Sequence, residues 1–213
     1  METISEKTVE RLILYKRILA MLQSSNRTHV YSHELANIMG ISSAQLRRDI
    51  MVIGYSGSPA HGYQINELMN SISLFIDAPE KQAVALVGAG RLGRAVLDYI
   101  QGRSDRLDIV ALFDVKPEKV DRVIHGCRCH PIDKIDTIIP AMNIKTAILS
   151  VPADQAQTMA ERLVKAGVRG LLNYAPLKLN LSSQIYIENR DMLMAVEKVS
   201  YFARNHLKQE GLS

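Results

Sequence analysis

The chain has 213 residues, room for one large domain or two modest ones. Hydrophobic residues make up 47%, charged residues 23%, and the formal charge is +4, an ordinary globular composition that permits a nucleic-acid partner without requiring one. Two cysteines make no disulfide framework, no apolar run approaches a membrane span, and the polar first residues predict no signal peptide, so a cytoplasmic protein is expected.

Over residues 4–24, Ile4, Thr8, Arg11, Leu12, Tyr15, Ile18, Leu19 and Leu22 recur at helical spacing along one stripe and predict a first helix. A short second helix is expected over His33–Met39, with Ser32 as its N-cap. Gly40 turns the chain. Ser42 opens a third helix running to about Ile53, and Gln45 completes a Ser-x-x-Gln capping box. Helix, glycine turn and capped helix make a helix-turn-helix. Leu46 and Ile50 serve the core, and Ser43, Gln45, Arg47, Arg48 and Asp49 occupy the other faces. Ser, Gln and Arg near a helix N-terminus reach base edges and phosphates in a major groove, so Ser42, Ser43, Gln45, Arg47 and Arg48 are candidate DNA contacts. Residues 54–63, rich in glycine, predict a hairpin wing, and residues 64–76 a closing helix. Residues 1–77 carry seven Lys/Arg and seven Asp/Glu, so DNA contact rests on local placement of Arg47 and Arg48 and on dimerisation.

The polar, proline-bearing stretch Asp77–Gln82 divides this domain, 1–77, from a second over 83–190. Ala83–Val87 reads as a strand buried on both faces. G-x-G-x-x-G follows at Gly88, Gly90 and Gly93, and then Leu92, Val96, Tyr99 and Ile100 at helical spacing. A strand-to-helix turn is the context that the dinucleotide fingerprint requires. Gly88 permits the tight turn, Gly90 lets the backbone touch a pyrophosphate, and Gly93 lets the helix pack close. The helix N-terminus offers N–H groups to the phosphates. A second strand, Asp108–Asp114, ends in an acid 21 residues after Gly93 (114 − 93), near the spacing of a ribose-binding carboxylate. Such a group accepts two ribose hydroxyls and repels a 2′-phosphate, so NAD(H) is expected over NADP(H). Lys116 and Arg122 nearby weaken that preference.

A helix is expected from Pro117. The stretch His125-Gly-Cys-Arg-Cys-His130 contains a short alternating third strand, Cys127–His130. Its four ligand-type side chains lie too close in sequence to close a tetrahedron around zinc, so no metal is expected. Cys127 and Cys129, about 7 Å apart on one strand face, would make a strained disulfide. Then come a helix over Ile132–Ala141, a strand over Lys145–Val151, a helix from Pro152 to Ala166 stopped by Gly167, and a strand over Val168–Asn173. Gly88, Asp114, Ser150 and Asn173 thus end strands at one edge of a parallel sheet, where such folds bind ligands. A last strand, Ile185–Glu188, precedes a helix from Asp191 to about Gln209, in a C-terminal segment 191–213. Its apolar face, Met192, Val196, Val199, Ala203 and Leu207, follows a completed sheet and needs another partner. A symmetric homodimer is the economical answer.

These residues resemble the Rex family of bacterial redox-sensing transcriptional repressors over nearly the whole chain. The marks are Leu14-Tyr-Lys-Arg17, Ser43-Ala-Gln-Leu-Arg-Arg-Asp49, Gly62-Tyr63, Gly88-Ala-Gly-Arg-Leu-Gly-Arg-Ala95, Phe113-Asp-Val-Lys-Pro-Glu-Lys-Val120, Ser150-Val-Pro-Ala153, Asn173-Tyr-Ala-Pro176 and Glu188-Asn-Arg-Asp191. The resemblance implies an α/β chain with an N-terminal winged helix-turn-helix, a Rossmann domain and a C-terminal helix exchanged between subunits. It implies a homodimer that binds operator DNA when NADH is low and releases it when NADH binds. It extends the cofactor set to Ala89, Arg91, Leu92, Tyr99, Val115, Val151, Pro152, Tyr174, Ala175 and Pro176, and the DNA set to His61, Gly62 and Tyr63. It assigns coupling of the domains to Arg17 and Asp191. The wing departs from the family pattern: a basic pair is replaced by Ser58 and Pro59, and a glycine by Ala60. His61 substitutes in part when protonated.

Two other readings compete. An NAD-dependent oxidoreductase is disfavoured because none of the histidines, at 29, 33, 61, 125, 130 and 206, falls at a predicted strand end beside the nicotinamide. A nucleotide-binding module with altered or lost DNA binding is motivated by the wing.

Overall fold

The computed structural model describes residues 4–209, with side chains for residues 4–205. The chain divides into two compact units, Met1–Glu80 and Lys81–Ser213, cut within the expected linker.

The first unit contains α1 (Glu6–Ser24), β1 (His29–Val30), α2 (Ser32–Met39), α3 (Ser43–Val52), β2 (Tyr63–Gln64) and α4 (Ile65–Ile76). The Ser5 hydroxyl caps α1 by accepting the Thr8 N–H. Thr8, Leu12, Tyr15 and Leu19, three or four apart, turn one face of α1 inward. They meet Leu35 and Ala36 of α2, Leu46 and Ile50 of α3, and Ile65, Leu68 and Ile72 of α4. Two cap expectations change. Tyr31, rather than Ser32, is the N-cap of α2, and the Glu34 carboxylate accepts its N–H at 2.8 Å. The Ser42 hydroxyl accepts the Gln45 N–H at 3.1 Å, but the Gln45 side chain runs on to Asp49 at 2.9 Å, so half of the capping box forms. β1 and β2 pair antiparallel, with Val30 opposite Tyr63. The wing before β2 is a small hairpin in which Ser58 and Gly62 exchange backbone bonds of 2.8 and 2.7 Å.

The second unit contains β3 (Gln82–Val87), α5 (Arg91–Ile100), β4 (Leu107–Asp114), β5 (Val123–Ile124), β6 (Cys127–Pro131), a 3-10 turn (Ile132–Lys134), α6 (Ile135–Ala141), β7 (Thr146–Leu149), α7 (Ala153–Ala166), β8 (Gly170–Asn173), β9 (Tyr186–Asn189) and α8 (Met192–Gln209). Its sheet runs β5-β6-β4-β3-β7-β8-β9. All pairs are parallel except β5 with β6. Counting parallel strands alone, the order is 3-2-1-4-5-6, the doubly wound dinucleotide-binding topology, whose direction reverses between β3 and β7. The strands' period of two divides the core into two layers. Val84, Leu86, Ile109, Leu112, Cys127, Cys129 and Ile148 pack against Val96 and Leu97 of α5. Ala85, Val87, Ala111, Phe113, Ala147 and Leu149 pack against α6 and α7.

Two helix expectations are corrected here. The inward face of α5 is Gly93, Val96 and Leu97, with Leu92 and Tyr99 exposed, because Gly93 must sit against the glycine loop and so fixes the helix rotation. No helix follows Pro117. The Lys119 and Val120 N–H groups close a single turn on the Lys116 carbonyl, and Asp121 at φ 58° ends it. Among the described residues, no helix is long and apolar enough to cross a membrane.

Candidate functional site

The three loop glycines have three different reasons. Gly88 lies at φ +100°, and a Cβ there would come within 2.4 Å of the Ser150 carbonyl oxygen. A Cβ on Gly93 would meet the Gly88 carbonyl oxygen at 1.9 Å. Gly90 has neither constraint: its φ is −71°, and a Cβ would have nothing within 4 Å. Neither fold nor conformation requires a glycine at 90. Open space over bare backbone at the start of α5 fits a pyrophosphate. As N-cap, Gly90 also brings no side chain to the first-turn N–H groups, which suits an anion there.

Asp114 ends β4 beside this loop and is 5% exposed. Its carboxylate accepts the Ala89 N–H at 2.7 Å, the Lys116 N–H at 2.9 Å and Lys119 Nζ at 3.0 Å. Burial pushes the carboxyl up, but the Lys116 amide, the Lys119 ammonium and the Ala89 amide outweigh it and hold it below the usual range. Asp114 therefore also ties the glycine loop to the strand end, and Val115 beyond it is exposed.

Across the switch point, the Ser150 hydroxyl donates to the Gly88 carbonyl at 2.8 Å, joining the ends of β3 and β7. Asn173 is fully buried. Its amide donates to the Leu177 carbonyl at 2.8 Å and to Asn189 Oδ1 at 2.9 Å, and its Oδ1 accepts the Ala175 N–H at 3.0 Å. Its side chain holds the loop Asn173–Pro176 from inside, and Val151 and Ala175 are buried as well. Ala89 too is buried, and its amide is occupied by Asp114. Arg91, Leu92, Pro152 and Pro176 are exposed, and Tyr174 is half-buried. Tyr99 is exposed, with the Arg103 guanidinium 4.4 Å from its ring centroid.

His130, expected as the last residue of the third strand, lies one residue before the end of β6, two strands from the switch point. Its ring sits 5.9 Å from that of Phe113. Cys127 and Cys129 are buried under α5, and burial pushes the Cys127 thiol up to about 11. Among the described residues no group of His, Cys, Asp and Glu could hold a metal ion.

On the first unit, Arg47 and Arg48 project from α3 into solvent. Arg47 reaches the Ser32 hydroxyl at 3.3 Å, and Arg48 the Gln45 amide oxygen at 3.0 Å. Ser42 is exposed, and Ser43 is half-buried. A cleft of about 380 Å³ separates α3 from the wing, lined by Tyr31, Arg47, Met51, Tyr55, Pro59 and Tyr63 among others. Tyr31 donates its hydroxyl to the Ala60 carbonyl at 3.0 Å, and His61 and His29 lie 6.5 Å apart by ring centroid. Two of the expected contacts also carry structural duties. Tyr63 is buried in the core of this unit. Gly62 is required at φ +74°, because a Cβ there would meet the Val30 carbonyl at 2.5 Å.

Asp49 is the residue that sequence spacing misplaces. It is 2% exposed and accepts Arg11 Nε at 2.6 Å, Arg11 Nη2 at 2.8 Å, the Tyr15 hydroxyl at 2.8 Å and Gln45 Nε2 at 2.9 Å. Burial pushes its carboxyl up, and these donors together bring it below the usual range. The signal in the sequence was Arg11, a charge on the inward stripe of α1 with no explanation until an acid is placed opposite it.

Asp191 caps α8, accepting the Met194 N–H at 2.9 Å, while Arg17 is exposed on α1. Every residue of α8 from Met192 to Arg204 is exposed, including Met192, Leu193, Met194, Val196, Val199, Tyr201 and Phe202. The Leu207 side chain lies outside the described residues.

A helix-turn-helix unit and a dinucleotide-type sheet in one chain define a nucleotide-responsive DNA-binding regulator. The comparisons agree in kind. Residues 79–177 match a family model for a CoA binding domain, and residues 3–50 one described as "Putative DNA-binding protein N-terminus". The redox-sensing transcriptional repressor Rex of Bacillus licheniformis is 33% identical over 97% of this chain and 96% of its own length. Rex of Anoxybacillus flavithermus is 34% identical over 95% of each. The solved structure of RSP in complex with beta-NAD+ and operator DNA has a TM-score of 0.91 at 26% identity, covering 100% of this chain and 98% of that one. RSP with beta-NADH gives 0.85 at 26%, covering 100% of both. The chain belongs to the Rex family of redox-sensing transcriptional repressors.

Proposed function

We propose that this protein represses transcription by binding operator DNA when NADH is scarce and leaves the operator on binding NADH. NAD(H) lies across the switch point. Its pyrophosphate sits at Gly90 and the start of α5, its adenosine ribose at Asp114, and its nicotinamide toward Ser150, the Asn173–Pro176 loop and Tyr99. Arg47, Arg48, Ser42, Ser43 and Gln45 face the operator, with His61 from the wing. The open backbone at Gly90 is the observation that carries the cofactor reading, since no other demand on that position calls for glycine. Support for the switch comes from likeness over the full chain to RSP, which has been solved with beta-NAD+ and operator DNA and with beta-NADH.

The chain acts as a homodimer through α8, whose apolar surface its own sheet leaves exposed. A ligand moves an equilibrium by its differential affinity for the two states, so NADH binds the DNA-free arrangement more tightly, and DNA weakens NADH by the same factor. Arg17 and Asp191, with Tyr99, couple the cofactor's redox state to the spacing of the two winged helices. The protein works in the cytoplasm as a regulator and not as an enzyme.

Selection of bound sequences from a random duplex pool, with and without NADH, tests this reading. One enriched motif, lost when NADH is added, is the expected result. No enriched motif, or a motif indifferent to NADH, would overturn it. NADH oxidation by added 2-oxo acids would turn the reading to a dehydrogenase.

A further inference from the structure

Asp114 does not present a bare carboxylate. Its Oδ1 accepts the Lys116 N–H, and its Oδ2 accepts both the Ala89 N–H and Lys119 Nζ. A carboxylate offers about four lone-pair directions. With three engaged, about one is left, and a ribose diol needs two. One donor must yield. The two amides are fixed, one by the glycine loop and the other by the turn after β4. The Lys119 ammonium rides on a flexible four-carbon stem and can swing away. Its side chain is 14% exposed and that of Asp114 6%, so the pair is poorly screened by water. The charges that sequence spacing suggested, Lys116 and Arg122, are both exposed, and Lys116 meets Asp114 through its backbone.

We propose that Lys119 sets how strongly this site discriminates NADH from NADPH, an inference that rests on the dinucleotide reading above. When a ribose diol arrives, its hydroxyls replace the ammonium on Asp114, and Lys119 moves aside with the loss of one ion pair. When a 2′-phosphate arrives, a near-dianion faces the carboxylate, and the same ammonium lies between two negative groups. Lys119 therefore opposes NADH weakly and shields NADPH from rejection. Asp114 and Lys119, the two ends of one ion pair, pull the preference in opposite directions.

The test is calorimetric binding of NADH and NADPH to the full chain and to Lys119→Met, Lys119→Arg and Asp114→Asn. In Lys119→Met the NADPH-to-NADH ratio of dissociation constants rises by about fivefold or more. In Lys119→Arg, which keeps the charge, the ratio stays within about twofold of the unmodified protein, and in Asp114→Asn it falls. Loosening of the loop would weaken both nucleotides alike and leave the ratio where it was. If Lys119→Met binds NADH with an unchanged ratio, or loses both nucleotides together, the proposal fails. If the unmodified protein binds no NADH, the dinucleotide reading fails first, and the two failures are told apart by that control.

Discussion

Gly90 and Gly93 stand three residues apart in one loop and make opposite demands. A methyl on Gly93 collides with the Gly88 carbonyl, so Gly93→Ala is expected to lose about 1–3 kcal/mol of stability in urea unfolding. A methyl on Gly90 meets nothing, so Gly90→Ala should cost only the preference of the N-cap for glycine over alanine, about 1 kcal/mol or less. NADH affinity, measured by fluorescence, should nevertheless fall at least tenfold in Gly90→Ala, about 1.4 kcal/mol. Tight NADH binding by that variant would remove the pyrophosphate from this loop. Asp49 presents a different case, a buried acid with four donors, three of which join α1 to α3. Asp49→Ala strands the Arg11 charge and should cost about 3–5 kcal/mol. The carboxyl's folded value lies below its ordinary one, so on acidification the unfolded chain takes the proton first. The contribution is whole above about pH 4 and is lost as the pH falls further. The stability gap between the parent and Asp49→Asn should therefore narrow as the pH falls below about 4, and a constant gap would contradict it.

At the scale of elements, α3 carries the operator reading. Replacing Arg47 or Arg48 with Ala should cost about 1–3 kcal/mol of operator binding if that residue reads a base. A phosphate contact would instead give a loss uniform across sequences and a shallower salt dependence. Full affinity in the double variant would remove α3 from the interface. For α8, a charge placed on the exposed apolar run, as in Val196→Glu or Val199→Glu, should shift sedimentation from dimer to monomer without loss of helical circular dichroism from the Rossmann unit. These elements were legible in the sequence because their periodicities are local. The continuous apolar run of β3, the capped start of α3 and the apolar repeat of α8 are each written within a few neighbouring residues. What escaped was set by distant partners. Tyr63 is core because β2 pairs with β1, more than thirty residues earlier in the chain. Asp49 is core because Arg11 reaches it from α1. The rotation of α5 follows from a close backbone approach of Gly93 to Gly88 that no hydrophobic count registers. The expected helix after Pro117 failed for a local reason, the left-handed backbone at Asp121, which a proline signal does not foretell.

At the scale of the whole molecule the question is how a nucleotide reaches DNA. Operator half-sites demand a fixed spacing of two recognition helices, so a modest rotation suffices for release. Asp191 caps α8 as well as carrying the proposed coupling charge, so Asp191→Asn, which can still accept the Met194 N–H, separates the two roles better than Ala. Asp191→Asn and Arg17→Ala should retain NADH binding as free proteins and need several-fold more NADH to leave the operator. Release at the parent's NADH concentration in both would mean that coupling runs elsewhere. The exposed apolar helix at the end of the chain also has a genetic consequence. A copy damaged in α3 but intact in α8 would still pair with healthy chains and would silence them, so such an allele should be dominant in a cell carrying both. A copy damaged in α8 could not find a partner to spoil and should be recessive. The same polypeptide would then yield two classes of loss-of-function allele, sorted by which end of the sequence they strike.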